Sequence, residues 1–565
     1  MLNSEVKFTE LPKLEKPRSR FDMSFSHKTT CNAGELIPVM CSEVYPGDTV
    51  TIDFSHVTRM TTPITPVMDN AYMDVYSFFV PNRLVWEHWN EFNGENDSPW
   101  KQTIEYEIPQ ITPPSGGWES TSLAARLGYP AYVDGTNYPQ GETLSYNHLP
   151  IRGYCKIWSD WFRDENVKSC AYFPTGDATT SGQTQTSASD YVTDACKGGM
   201  LLKVAKPHDY FTSCLPEPSK GPDVTIPLGT KAPVTSRFGS TPYNDATSLA
   251  WRNAASGNLI QTTNEIITEG TQISGNWYNA TKLGPTYSGT SSTWLQPDNL
   301  WADLTNATGA TINQLRQAYA IQRFYEAQAR GGSRYIEYVQ NIFGVISPDA
   351  RQQRSEFIGG RRFPINMDQV LQTSSTDQET PQGNTAAFSC TVNADNLATY
   401  SSTEHGYIFT LLCIRTTHSY QQGVSKHLLR KKFTDYYVPQ FAHLGEMPVY
   451  NSQIYAQGTS QDKEVFGYQE AWAELRYEPN RISGQLMSQS KDSQGNANSL
   501  DIWHYADYYN SLPTLGSAWI DETPNNIQRT LAVSGESQFI IDTYFKNIWT
   551  RILPLYSVPG LGDHY

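Results

Sequence analysis

The strongest alternation in the chain lies between Ala71 and Val80. Ala71, Met73, Val75 and Phe79 fall on one face, and Tyr72, Tyr76, Phe78 and Val80 on the other, with Asp74 as the only charge. Two apolar faces predict a central strand covered on both sides. Pro81 has no amide hydrogen for a ladder and should end the pairing, so Asn82 and Arg83 turn the chain into the aromatic run Trp86, His88, Trp89 and Phe92. From Asp48 to Met60, Val50, Ile52, Phe54 and Val57 alternate with polar residues after the turn Tyr45-Pro46-Gly47-Asp48, the pattern of a half-buried strand. The run from Glu404 to Thr416 predicts another strand, buried from Tyr407 to Cys413, and Phe539 to Leu553 predicts a last one.

Helical spacing is rarer. Leu149 to Asn166 carries Tyr154, Ile157, Trp158 and Trp161 on an amphipathic pattern, with Trp161 and Phe162 as packing anchors, and one helical turn is expected near Ser122 to Leu127. Thr311-Ile312-Asn313-Gln314 fits a capping box, and no Pro or Gly follows until Gly331-Gly332, which predicts a helix of about five turns. Ile312, Leu315, Ala318 and Tyr319 share one side while Ile321 and Phe324 fall on others, so this helix is expected to be buried on more than one face. Residues 1 to about 45 follow no clear period and read as an extended arm. The stretch from Asn93 to about Pro150 reads as a long loop, and a loop-rich segment holds Arg351, Arg354, Arg361 and Arg362. Strands at both ends of a middle rich in loops indicate a mainly β sandwich with very long connections, and no internal repeat or composition break separates independent domains.

Composition sharpens this picture. Aromatics reach 12% and charged residues only 18%, with 39 Gly and 34 Pro, which favours strands, turns and interfaces over helical bundles. The formal net charge of -15 means that the chain as a whole repels nucleic acid, so any such contact must be local and helped by another cation. The eight cysteines form no C-x-x-C pair and match no zinc spacing; reduced, mostly buried thiols are expected. The start MLNSEVKFTELPKLEK lacks the apolar core of a signal peptide and no run approaches a membrane span, so folding in a reducing cytoplasm, without membrane insertion, is expected. The three Asn-x-Ser/Thr sites, at Asn96, Asn279 and Asn306, then read as chance matches.

Catalytic signatures are missing. No phosphate-binding Gly loop, dinucleotide turn, zinc-protease helix or EF-hand loop occurs, and Ser534 to Phe539 has Phe where a nucleophile elbow needs its second Gly. Lone histidines such as His88 and His405 read as packed residues, and no cofactor or metal ligand set is indicated. A paired-carboxylate glycosidase site has no fixed spacing and gains no support. Two binding candidates remain. Lys426, His427, Arg430, Lys431 and Lys432, followed by Phe433, Tyr436 and Tyr437, could place cations on phosphates and rings on unpaired bases, with Arg361 and Arg362 as further contacts; the plainer reading is an exposed turn. The weakly charged segment from Pro227 to Thr308 scatters Trp251, Trp277, Tyr278 and Trp294 on a polar background, which suits a surface for sugars or other neutral groups, or a small core of its own.

Several of these segments together resemble one family. RSRFDMSFSHKTTCNAGELIPV (Arg18 to Val39), YMDVYSFFVPNRLVWEHWNEFNGEN (Tyr72 to Asn96), KPHDYFTSCLPEPSKGPDVTIPLG (Lys206 to Gly229), ARGGSRYIEYVQNIFGV (Ala329 to Val345) and FAHLGEMPVYNSQIYAQG (Phe441 to Gly458) resemble the major capsid proteins of single-stranded DNA microviruses of the gokushovirus branch. The resemblance implies an eight-stranded antiparallel jelly roll with long loop insertions and a few short helices. It also implies an arm over 1–45, first strands and loops over 46–229, a variable insertion over 230–308 forming a protrusion near the three-fold axis, and the remaining strands over 309–565. Implied partners are sister copies in a small icosahedral (T=1) shell, circular single-stranded DNA, a small basic DNA-binding virion protein and a host-cell receptor met by the insertion; Trp251, Trp277, Tyr278 and Trp294, singled out above by their polar background, are then the candidate attachment residues. The virion is the implied location, with assembly in the host bacterial cytoplasm. A carbohydrate-binding or glycan-cleaving β-sandwich protein is the rival reading, resting on the Trp-rich segment alone.

Overall fold

The computed structural model describes residues 17–95, 106–131, 144–184, 190–222, 224, 234–238, 241–242, 251–253, 259–260, 272–273, 276–277, 295–297, 300–302, 311–332, 334–346, 353–366, 368–371, 373, 385–388, 390–533 and 535–556. The chain divides into two compact units, Met1–Lys220 with Glu326–Tyr565, and Gly221–Tyr325.

The first unit is built on two antiparallel sheets. Its strands are β1 (Ser19–Asp22), β2 (Phe25–Cys31), β3 (Ile37–Val44), β4 (Thr49–Met60), β5 (Ala71–Pro81), β6 (Glu356–Ile365), β7 (Thr391–Ser401), β8 (Gly406–Thr416) and β9 (Phe539–Arg551). One sheet runs β1, β9, β4, β7, with β2 also on β9; the other runs β6, β5, β8, β3. β1 and β2 take successive halves of β9, Ser19 opposite Arg551 and Phe25 opposite Phe545, so together they make one interrupted edge. The sheets face each other across a single apolar core. Across it Phe54 meets Phe363 at 6.1 Å and Phe79 meets Tyr400 at 5.1 Å, while Phe54 packs beside its ladder partner Phe545 at 5.1 Å.

β5 is central, between β6 and β8, and ends at Pro81 as its missing amide requires. Its second face is also covered, by helix α1 (Leu149–Ile157) and the π-turn Trp158–Phe162 that continues it: Phe78 packs on Trp161 at 5.6 Å and on Phe162 at 5.8 Å. Leu149 and Ile151 of α1 are buried, and at Gly153 a Cβ would stand 2.9 Å from the Phe409 ring, so only glycine lets the helix lie this close to β8. The expected turn near Ser122 is present as Leu123–Arg126, capped by the Ser122 hydroxyl on the Ala125 amide at 3.2 Å.

Helix α2 (Ile312–Gly331) starts on the expected capping box: the Gln314 amide donates to Thr311 Oγ1 at 3.2 Å and the Thr311 amide to Gln314 Oε1 at 2.9 Å. Its expected burial is not met within the chain. Only Ala329 is buried among its residues, and Tyr319 is 68% exposed. Helix α3 (Tyr335–Phe343) follows, also with exposed rings at both ends.

Three readings need correction. The part of the expected arm from Ser19 onward joins the sandwich as β1, β2 and β3; β1 and β2 are edge strands whose single half-covered face alternates too weakly to announce itself, and β3, buried on both faces from Ile37 to Met40, shows no alternation there. The segment with Arg361 and Arg362 is strand β6, not loop. Its Gly359 and Gly360 disguise it, yet a Cβ at Gly359 would lie 2.3 Å from the Leu397 carbonyl oxygen, at a bulge in the pairing with β5. In β4 the inward set is Val50, Ile52, Phe54, His56, Thr58 and Met60, so Val57 points outward.

The second unit contains short antiparallel pairings. Val234–Phe238 pairs with Thr241–Pro242 and Leu300–Ala302, Trp251–Asn253 with Leu259–Ile260 and Leu295–Pro297, and Gln272–Ile273 with Asn276–Trp277.

Candidate nucleic-acid interface

The basic run leaves β8 and folds as short 3-10 turns, Lys426–Leu429 and Phe433–Asp435, beside the hairpin of strands Glu446–Tyr450 and Val465–Glu470. Its four lysines and arginines, Lys426, Arg430, Lys431 and Lys432, are not equivalent. Glu474 lies 3.4 Å from Lys426 Nζ and 3.3 Å from the Arg430 guanidinium, and all three side chains are largely buried; Arg430 also covers the Tyr436 ring at 5.4 Å. Lys426 and Arg430 therefore hold the turn. Asp435 accepts the backbone amides of Lys431 and Lys432, each at 2.8 Å, and those bonds keep its carboxyl below the usual range. The Lys431 and Lys432 ammonium groups pair with no carboxylate among the described residues, and Phe433 is 76% exposed.

Two cavities flank this segment. One of about 610 Å³ lies toward the hairpin, with Lys431, Lys432, Lys463 and Tyr450 in its lining; the other, about 520 Å³, is lined by Tyr420, His427, Tyr477 and Arg481 among others. Sequence reading missed Lys463 and Tyr450, because each comes from a different part of the hairpin and neither stands in a basic run.

Arg361 and Arg362 serve the sandwich. Arg361 pairs with Asp395 at 2.7 Å, and Arg362 with Asp74, at 2.6 Å from its Nε and 3.0 Å from its outer nitrogen. Asp74 is 1% exposed and also takes Arg415, so the lone charge of β5 is clamped between two guanidiniums. Trp251 and Trp277 lie in strands of the second unit, whereas Tyr278 and Trp294 lie outside the described residues.

One cluster had no sequence signal at all. His418 is buried with Nδ1 2.9 Å from Asp507 and Nε2 2.9 Å from Glu522; Lys206 Nζ is 3.5 Å from Asp507, and the Asn526 amide donates to Asp507 at 2.6 Å. Both ring nitrogens face carboxylate oxygens, so both donate and the ring is an imidazolium. Burial opposes that charge, but Glu522 and Asp507 outweigh it and raise the pKa to about 9. Its members, at 206, 418, 507, 522 and 526, are too far apart in sequence for any spacing rule. Among the described residues no group of three or more His, Cys, Asp or Glu is placed to hold a metal ion, and no helix is long and apolar enough to cross a membrane. All eight cysteines are free, five of them buried.

A chain with two facing sheets, oversized loops and rings left open to solvent is built like a shell subunit, and comparison with known proteins decides the point. Residues 9–561 match the family described as "Capsid protein (F protein)". The chain belongs to this capsid protein family. It is 40% identical to Capsid protein VP1 of Spiroplasma virus 4 over 552 residues, covering 96% of this chain and 95% of that one. It is 38% identical to Capsid protein VP1 of Bdellovibrio phage phiMH2K over 564 residues (99% and 98%), and 36% identical to that of Chlamydia phage 1 over 601 residues (98% and 97%). These are capsid proteins of microviruses. Membership gives this capsid chain a structural, non-enzymatic role, assembly into a multimeric shell, and a place in the virion.

Proposed function

We propose that the chain is the major capsid subunit of a small icosahedral shell enclosing circular single-stranded DNA, and that its sandwich is an eight-stranded jelly roll. With β1 and β2 counted as one interrupted strand, the chain-order strands run 1, 8, 3, 6 in one sheet and 5, 4, 7, 2 in the other, so every successive pair crosses from sheet to sheet except 4 and 5, which pair with each other, the order of a jelly roll. The observation that carries the capsid reading is end-to-end similarity to VP1 proteins. Exposed Leu428, Phe433, Tyr436, Tyr437, Leu475 and Tyr477 support it, as large apolar side chains and rings left for a partner surface to cover.

In this reading the run from Lys426 to Phe433 touches the genome, a small basic virion protein supplies the neutralising charge that a subunit at -15 lacks, and assembly takes place in the bacterial cytoplasm. Residues 230–308, within the compact unit Gly221–Tyr325, carry host attachment. Electron microscopy of the purified product, with nuclease digestion of its contents, tests the first claim: closed shells holding protected single strands are expected, and a chain that stays monomeric under all assembly conditions while cleaving a glycan would overturn it. Removal of 230–308 should leave assembly intact and abolish adsorption to the host; unchanged adsorption would defeat the attachment role.

A further inference from the structure

A groove of about 610 Å³ lies between the basic turns and the Glu446–Glu470 hairpin, and its charges are unevenly committed. Three carboxylates line it. Glu474 is taken by Lys426 and Arg430, Asp435 by the amides of Lys431 and Lys432, and Asp462 by the amides of Gln457 and Gly458 at 2.9 and 2.7 Å. Three lining ammonium groups, those of Lys431, Lys432 and Lys463, have no carboxylate partner among the described residues. The groove is thus locally cationic in a chain whose net charge is -15. It also has a flat, partly open ring, Tyr450, and an apolar floor of Met447 and Pro448.

Free ammonium groups next to an exposed ring match the two ends of a nucleotide: an anion that wants diffuse positive charge, and a base that stacks on any aromatic face regardless of its identity. We infer that this groove is a nucleotide-sized site for single-stranded DNA, in which Lys431, Lys432 and Lys463 hold a backbone phosphate and Tyr450 stacks on the adjoining base. The inference rests on the genome-contact reading above and adds to it a ligand unit, a phosphate-binding residue from the hairpin and a stacking ring. Duplex DNA, whose bases are already stacked, would gain only the phosphate part.

Fluorescence titration of the full-length chain with labelled oligothymidylate at several salt concentrations tests this, beside Lys463→Gln, Tyr450→Leu and the pair Lys431→Gln with Lys432→Gln, each checked for unchanged far-ultraviolet dichroism. Loss of one phosphate contact should weaken binding about fivefold and reduce the slope of log affinity against log salt by about 0.7. Tyr450→Leu should weaken binding by at least about fivefold and leave that slope unchanged, with no effect on a strand lacking bases. If the Lys431 and Lys432 pair matters but Lys463→Gln and Tyr450→Leu do not, the groove is excluded while the genome contact stands. If none of the variants changes binding, both fall. If inorganic phosphate competes as well as thymidine monophosphate and Tyr450→Leu is neutral, the groove takes free phosphate, and the nucleotide assignment is overturned.

Discussion

The sandwich and the loop-built cluster around Tyr210, Phe211, Val449, Phe466 and Trp519 solve the same problem in opposite ways. In the sandwich the ladders satisfy the backbone and the interior is left to apolar side chains, with a few self-contained polar contacts such as Ser77 to Thr410 at 2.9 Å. In the loop cluster no ladder is long enough, so side chains take over: Gln469 donates to the Tyr210 carbonyl at 2.8 Å, Gln421 to that of Asp507 at 3.0 Å, Trp472 to that of Phe441 at 2.8 Å and Asn480 to that of His418 at 3.0 Å. The buried quartet of Lys206, His418, Asp507 and Glu522 belongs to the same style of construction. Loops can be packed as tightly as sheets, but at the cost of buried charge, and buried charge makes stability depend on protonation.

The largest effect is expected where the sandwich breaks its own rule. Asp74→Asn leaves Arg415, which is mostly buried, without its counter-charge, and should destabilise the unassembled chain by about 3–5 kcal/mol in urea unfolding. A loss below about 1 kcal/mol would mean that the sandwich tolerates an unpaired charge as readily as a loop does, and the contrast would fail.

Next in size is the dependence on pH, where the two regions should differ in sign. His418 has a folded pKa of about 9 against about 6.5 unfolded, so its contribution is complete below pH 6.5 and is lost as pH rises through 9, by up to about 3 kcal/mol. His56 inside the sandwich and His148 at the start of α1 are pushed down to about 4 by burial; His148 stays neutral, accepting from Arg152 at Nδ1 and facing the Cys196 carbonyl through Nε2. Folding disfavours their protonation, so their part of the stability holds above pH 6.5 and falls away toward pH 4. Urea unfolding across pH 4–10 should show both limbs, and His418→Gln should remove the alkaline one alone. An unchanged alkaline limb in that variant would assign it to other groups.

Gly359→Ala is expected to cost about 1–3 kcal/mol, since its Cβ would collide with the Leu397 carbonyl where β6 passes β7. A neutral result would show that the bulge can relax. The same residue explains what the sequence conceals. β5, β8 and β9 were legible because they are long, apolar and regular, and the α2 cap because its signal is four contiguous residues. β6 was hidden by Gly359, Gly360, Arg361 and Arg362, and β7 by its polar sequence TVNADNLATYS; both are strands because of what lies across from them. The candidate groove was half legible for the same reason: Lys431 and Lys432 are neighbours in the chain, whereas Lys463 and Tyr450 reach them only once the hairpin closes. Contiguous features can be read from the chain, and features assembled by pairing cannot.

The smallest expected effect separates two readings of one strand. Read by hydrophobicity alone, β4 turns Val57 inward, but strict alternation carries the inward face on through His56, Thr58 and Met60, and Val57 is 42% exposed. His56 can take the inward place because it is neutral, with Nδ1 2.9 Å from Thr58 Oγ1, and it packs on Phe363 with ring centres 5.0 Å apart. Val57→Thr should therefore change the stability of the unassembled chain by less than about 0.5 kcal/mol, the range for an open surface position, because its added hydroxyl meets water. A loss of about 1.5 kcal/mol or more, the cost of a buried hydroxyl without a partner, would put Val57 in the core and require a break in the alternation of β4 after Phe54. The outcome matters beyond one residue: if the inward set survives a polar interruption at His56, the register of β4 is held by its ladders with β7 and β9, and the apolar pattern follows the pairing rather than setting it.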